Sequence, residues 1–235
     1  MLGCTVTLSA NAGVSLEWHG RKLWIDALHT EKIHGYSTLS PQIWAQMQIA
    51  PAFVPPELIC FTHCHQDHYS RSLTAYASTL WPRAKLILPQ KEFSNQTLLT
   101  GSEFQFSLGK ICLRFLRLPH EGGAFSAVPH YGILLSDGTS RILVSGDCEV
   151  ASPALTQYLD GPIDLAVLSF PWLTLRRGRL YMGDVLRPRH LLLYHLPFPE
   201  DDTEGYLYMA KQAALRWEAQ DLRLLSSPLQ QETFS

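Results

Sequence analysis

The chain has 235 residues, 46% of them hydrophobic, enough to bury a large core, and the expectation is a single domain over residues 1–235. With 19 Lys+Arg against 21 Asp+Glu the formal charge is -2, which excludes the global basic footprint of nonspecific nucleic-acid binding. A local basic patch stays open, so nucleic acid is kept as an alternative partner that the composition does not indicate. The five cysteines (Cys4, Cys60, Cys64, Cys112, Cys148) are odd in number, spread out and free of any CxxC, which argues against a disulfide framework and for a reducing compartment, with the cytoplasm expected. Met1-Leu2-Gly3-Cys4 has no basic stretch followed by an apolar one, and no apolar run approaches the ~18 residues of a membrane span. Neither a secretory signal nor a membrane partner is expected.

In chain order, residues 4–8, 14–18 and 22–26 are short, β-rich and separated by turn formers at Asn11-Ala12-Gly13 and Gly20, which predicts an opening antiparallel meander closed by Asp26. Ser40-Pro41 predicts a helix start, and Pro51, Pro55 and Pro56 keep the following chain extended up to an apolar strand, Glu57 to Phe61. Leu73, Tyr76, Ala77 and Leu80 recur at helical spacing before Trp81-Pro82, and Lys85 to Leu88 is the next strand, completing a βαβ step. Two strands are expected on either side of Leu108-Gly109-Lys110 within 103–118, and two more, 130–136 and 141–145, around Asp137-Gly138. The last third alternates: helices at 153–159, 179–186 and 201–219, strands at 164–170, 190–195 and 222–225.

The chemistry concentrates where the strand ending at Phe61 gives way to Thr62-His63-Cys64-His65-Gln66-Asp67-His68. Three imidazoles and a carboxylate within six positions are hard to explain by packing, because each unpaired ring nitrogen in a partly buried site costs free energy. A divalent metal is the natural partner.

His63-x-His65-x-Asp67-His68 resembles the H-x-H-x-D-H signature of the metallo-β-lactamase fold superfamily. The resemblance implies a four-layer αββα sandwich, of α/β class, and three further ligands at strand ends. Those are supplied here by His120, by Asp147 in Ser145-Gly146-Asp147, and by His195 after Leu191-Leu192-Leu193-Tyr194. It extends from about residue 4 to 225. It assigns His63, His65 and His120 to one metal, Asp67, His68 and His195 to a second, and Asp147 to both, with Asp67 also catalytic, orienting a metal-bridging hydroxide or carrying its proton. Asp26 is expected to support a ligand histidine. Nitrogen and oxygen donors suit zinc, with manganese or iron as alternatives.

Each distal histidine has a rival: His130 for His120, and His190, which opens its strand, for His195. His130 is expected to be a pocket residue instead, His29 and His34 surface or loop residues, Cys64 and Cys148 small buried hydrophobes, and Arg176-Arg177-Gly178-Arg179 an exposed helix start. Loops at 29–40, 120–130 and 170–180, with Tyr36, Phe125, Trp172 and Arg176, are expected to rim the site. The functional expectation is a metal-dependent hydrolase acting on a small molecule, with a phosphodiester or other phosphorylated compound first and a thioester or lactone second. A non-catalytic metal-binding module and a nucleic-acid-processing nuclease are the readings from other classes.

Overall fold

Side-chain alternation decides which way each strand faces, and in the computed structural model, which describes residues 2–218 and 221–235, that alternation builds two stacked sheets. The expected meander forms as β1 (Cys4–Leu8), β2 (Val14–Trp18) and β3 (Arg21–Ile25), all antiparallel. Helix α1 (Pro41–Met47) starts where expected, with the Ser40 side chain accepting from the backbone N–H of Ile43. β4 (Leu58–Cys60), α2 (Arg71–Leu80) and β5 (Lys85–Leu88) make the βαβ step, the two strands running parallel. A two-residue strand, β6 (Thr97–Leu98), follows.

The second sheet opens with the hairpins β7 (Glu103–Leu108), β8 (Ile111–Arg117), β9 (Tyr131–Ser136) and β10 (Arg141–Val144). Short helices α3 (Pro153–Thr156), α4 (Pro171–Thr174), α5 (Arg176–Tyr181) and α6 (Tyr206–Ala214) then alternate with β11 (Leu165–Ser169), β12 (His190–Tyr194) and β13 (Asp221–Leu224). The last strand, β14 (Gln231–Phe234), returns to the first sheet. The strand orders are β14-β1-β2-β3-β4-β5-β6 and β13-β12-β11-β10-β9-β8-β7.

Neighbouring residues on one strand enter different cores. Ile142 and Val144 of β10, and Leu192 and Tyr194 of β12, join Val6, Leu16, Leu23 and Ile25 in the cluster shared by both sheets. Leu143, Leu191 and Leu193 point the other way and pack with Trp172, Leu173 and Met182 of the helical layer. On the outer side of the first sheet Trp24 meets Trp44 of α1, Phe53 and Trp81 at ring-centroid distances of 6.3, 6.0 and 4.9 Å, and its indole N–H donates to the Phe53 carbonyl. Helix, sheet, sheet, helix is the αββα layering expected from the sequence.

Some elements depart from expectation. The helix expected over 201–219 forms only at Tyr206–Ala214, because Asp202 turns back to accept from the backbone N–H groups of Leu207 and Tyr208 and Gly205 takes a φ of 73°; position 219 lies outside the described residues. The 179–186 helical stretch begins earlier, at Arg176, and closes in a π-helical turn, Met182–Leu186. β14 has no apolar run to announce it and exists through pairing with β1, as in Cys4 opposite Phe234.

Replacing Trp24 by alanine removes the residue on which three aromatic neighbours converge. A loss of about 3–5 kcal/mol is expected in urea unfolding monitored by circular dichroism, and a loss below about 1 kcal/mol would show that this outer layer does not hold the sheet.

Candidate metal centre

All seven expected ligands stand at one end of the sandwich, because each follows a strand running toward that end. β4 leads into the loop carrying His63, His65, Asp67 and His68; β8 leads to His120, β10 to Asp147 and β12 to His195. β10, β11 and β12 are parallel, and β8, two antiparallel steps from β10, shares their direction. An isolated bridge between His120 and Cys148 ties two of the ligand-bearing segments together.

The donor atoms fall into the two expected groups. His63, His65 and His120 offer nitrogens within 4.8 Å of one another, and so do Asp67, His68, Asp147 and His195 with their nitrogens and oxygens. Nε2 of His120 is 3.3 Å from Nε2 of His63, and Nε2 of His195 is 3.0 Å from Nε2 of His68. Asp147 Oδ2 lies 3.2 Å from His68 Nε2 and 3.4 Å from His195 Nε2 in the second group, and 3.9 Å from His120 Nε2 of the first. Asp67 Oδ2 lies 3.4 Å from His195 Nε2.

The tautomers are fixed from behind. Asp26, fully buried at the end of β3, accepts from the Thr62 backbone N–H (2.7 Å) on Oδ1, and from the Thr62 hydroxyl (2.6 Å) and His68 Nδ1–H (2.9 Å) on Oδ2. Since the Thr62 hydroxyl gives its proton to Asp26, it accepts from His63 Nδ1–H at 3.0 Å. His120 Nδ1–H donates to the Glu121 carbonyl at 2.7 Å. Three rings thus carry their proton on Nδ1 and turn a lone pair on Nε2 toward the cluster. The His63 and His120 lone pairs, 3.3 Å apart, repel unless something electrophilic joins them, and two ligands ~2.0–2.1 Å from a tetrahedral ion lie ~3.4 Å apart. Asp147 Oδ1 is buried with no hydrogen-bond partner among the described residues, a further donor without an acceptor. These residues fit a pair of divalent cations.

Several expectations are corrected. His130 is not a pocket residue: it is fully buried behind the cluster, where its Nε2 accepts from the Asp147 backbone N–H at 3.0 Å, and burial pushes its pKa down to about 3, so it stays neutral. Gly146 (φ 55°) makes that approach, since a Cβ there would sit 2.6 Å from His130 Nε2. His29 is likewise buried, held to the Ala10 carbonyl at 3.0 Å, whereas His34 is exposed as expected. Trp172 packs in the core and takes no part in the rim. His190, at the far end of β12, pairs with Asp221. Cys148 is buried and Cys64 half-buried against the core. Arg179 donates to the Leu173 and Thr174 carbonyls, and Arg177 pairs with Glu121, so the arginines belong to a helix start.

The mouth is a cavity of about 290 Å³ lined by Ile33, Cys64, His65, Gln66, Asp67 and Phe125. Phe125 lies 5.1 Å, ring to ring, from both His65 and His120, and Tyr36 stands edge-on to His195 at 4.7 Å. A larger hollow, about 530 Å³ between Pro55, Trp81 and Lys85, sits at the opposite strand ends and holds no cluster of donors. Thr62 has no signal in the sequence, being a common residue beside a ligand, whereas Tyr36, expected at the rim, stands there against His195.

The two groups differ in the protons they hold. Burial, then the neighbouring charge of His68, keeps the His63 pKa well below its ordinary value, and burial with His120 lowers that of His65. For His68 and His195 burial acts downward too, but Asp147, then Asp67, outweigh it, raising His68 well above its usual range and His195 to about 9. These two imidazolium groups favour the metal-free fold at low pH, and that contribution fades as pH rises through about 9. A cation needs them neutral. Affinity at the His68–His195 group is therefore expected to climb with pH, by up to ~10-fold per unit for each proton displaced. Zinc competition titrations at pH 6, 7 and 8 check this, and an affinity at that group that does not rise with pH would contradict it.

No family model matches the chain, and no curated protein matches it. Solved structures do. YhfI, a metallo-β-lactamase fold protein from Bacillus subtilis, superposes with a TM-score of 0.63 over 100% of both chains at 12% identity. The isothiocyanate hydrolase from Delia radicum gut bacteria gives 0.66 over 98% of this chain and 99% of its own at 13% identity. CmlA, a diiron β-hydroxylase from Streptomyces venezuelae, gives 0.62 at 14% identity; all of this chain is covered, but it spans only 54% of CmlA. Among the described residues no helix is long and apolar enough to cross a membrane. With two mixed sheets flanked by helices and the donor cluster at their ends, the chain has the metallo-β-lactamase fold.

Proposed function

We propose that the protein is a metal-dependent hydrolase whose two cations are zinc, held by His63, His65 and His120 on one side, by Asp67, His68 and His195 on the other, and by Asp147 between them. The observation that carries this reading is the pair of donor groups, the second containing Asp147, whose Oδ2 also lies 3.9 Å from His120 Nε2 of the first. When bound, paired divalent ions lower the pKa of water toward neutrality and polarise the substrate. Asp67, only partly exposed, is the carboxylate placed to accept a hydrogen bond from that water and orient it; burial raises its proton affinity, but the neighbouring His68 and His195 outweigh this and keep it ionised. Phe125 packs against the His65 and His120 rings and presents an apolar face beside them.

The hydrolase names carried by neighbours of the same fold and length support hydrolysis, whereas the diiron hydroxylase is about twice as long. Two adjacent cations suit the two non-bridging oxygens of a phosphodiester, which is the first substrate reading. A carbonyl substrate, a thioester or lactone, is favoured by one feature: the mouth presents Ile33, Gln66 and Phe125, while the nearby cations Lys32 and Arg177 are engaged by Asp201 and Glu121.

Purified protein is expected to carry about two zinc equivalents per chain and to turn over bis-p-nitrophenyl phosphate or, on the second reading, a thioester or lactone. His65→Ala is expected to cut that turnover by ~100-fold or more. Elemental analysis that finds almost no metal, unchanged after zinc is added, would sink the proposal. Bound iron with oxygen consumption would replace hydrolysis by redox chemistry.

A further inference from the structure

The turn between β1 and β2, Ser9 to Gly13, reads in sequence as a plain turn former, yet among the described residues it hydrogen-bonds two ligands of one cation and none of the other's. It is closed by its own backbone, Ser9 N–H to the Gly13 carbonyl (2.8 Å) and Gly13 N–H to the Ala10 carbonyl (2.7 Å), so the Asn11 side chain is not needed to make it. His29, buried and kept neutral by that burial, pins the turn from behind at the Ala10 carbonyl. Asn11 is fully buried at a φ of 48°. Its backbone carbonyl accepts from the His195 N–H at 3.1 Å, and its side-chain Nδ2 donates to the Asp67 backbone carbonyl at 3.4 Å.

Two details indicate that Asn11 acts on the ligands, one through its carboxamide and one through its backbone carbonyl. Its Oδ1 is buried without a partner among the described residues, which costs free energy that glycine, equally at home at positive φ, would avoid. What the side chain contributes in return is the bond to Asp67. His195 itself has a φ of 58°, a conformation an imidazole residue keeps only where its surroundings hold it, and the Asn11 carbonyl is the group that takes its N–H.

We infer that Asn11 is a positioning residue that ties Asp67 to His195 and thereby builds the second cation's site, leaving the His63–His65–His120 site to stand without it. The inference rests on the two-cation reading above. It makes the two sites unequal in a defined way: the first is organised by the histidine loop and His120, the second only when the β1–β2 turn is in place.

The test is a cobalt(II) titration of the metal-free full chain, followed by visible d–d absorption and by competition with a chelator, for wild type, Asn11→Gly and Asn11→Asp. Glycine keeps the positive φ and the carbonyl that His195 uses, and removes the carboxamide with its donor; aspartate keeps the shape and replaces the donor by a charged acceptor. Wild type is expected to take two equivalents. In Asn11→Gly the first equivalent is expected to bind as in wild type and the second about 10-fold more weakly, with Asn11→Asp at least as affected. The thermal midpoint of the metal-free protein is expected to stay unchanged in Asn11→Gly. Two wild-type-like equivalents in both variants would overturn the inference, as would equal weakening of both equivalents or a parallel fall in the metal-free midpoint, which mark a general structural role. Fewer than two equivalents in wild type would overturn the two-cation reading itself and the inference with it.

Discussion

One buried carboxylate carries more of this structure than any single ligand. Asp26 sits at the end of β3 with no solvent contact, a position that costs several kcal/mol for an ionised group unless its lone pairs are filled. They are filled by the Thr62 N–H, the Thr62 hydroxyl and His68 Nδ1–H. The first bond fixes where the histidine loop leaves β4, the second passes the orientation on to His63 through Thr62, and the third turns Nε2 of His68 toward Asp147. A single desolvated charge thus couples the opening meander to the ligands of both cation sites.

The loop can be so densely functional because the rest of the sandwich is conventional. Alternation along β10 and β12 sends neighbouring residues into separate cores, so the strands are held on both faces and their ends are rigid. Ligands at those ends inherit that rigidity, and ligands from four different strands converge without any of them being long or flexible. The aromatic side chains Phe125 and Tyr36 then close the flanks, each against a ligand ring.

Much of this was legible in the chain. Short alternating strands, the Ser40-Pro41 start and the Asp137-Gly138 hairpin located most elements, because local propensity and tertiary role agree there. His63 to His68, followed by His120, Asp147 and His195 at strand ends, located the cluster. What was not legible depends on contacts between distant segments. His130 looks like a rival ligand, but a residue that opens a strand beside Gly146 meets the back of Asp147. Trp172 looks like a rim aromatic, but its short helix packs it into the outer core. β14 is polar enough to read as a tail and becomes a strand only because β1 offers an edge. Asn11 carries a turn signal whatever else it does, so its bonds to Asp67 and His195 are invisible without the fold.

Whether two cations share Asp147 is read from X-ray diffraction of zinc-loaded crystals at the zinc absorption edge. Two anomalous peaks are expected, one ligated by His63, His65 and His120 and the other by Asp67, His68 and His195, with Asp147 touching both. A single peak, or a peak ligated by His130 or Cys64 in place of these residues, would contradict it.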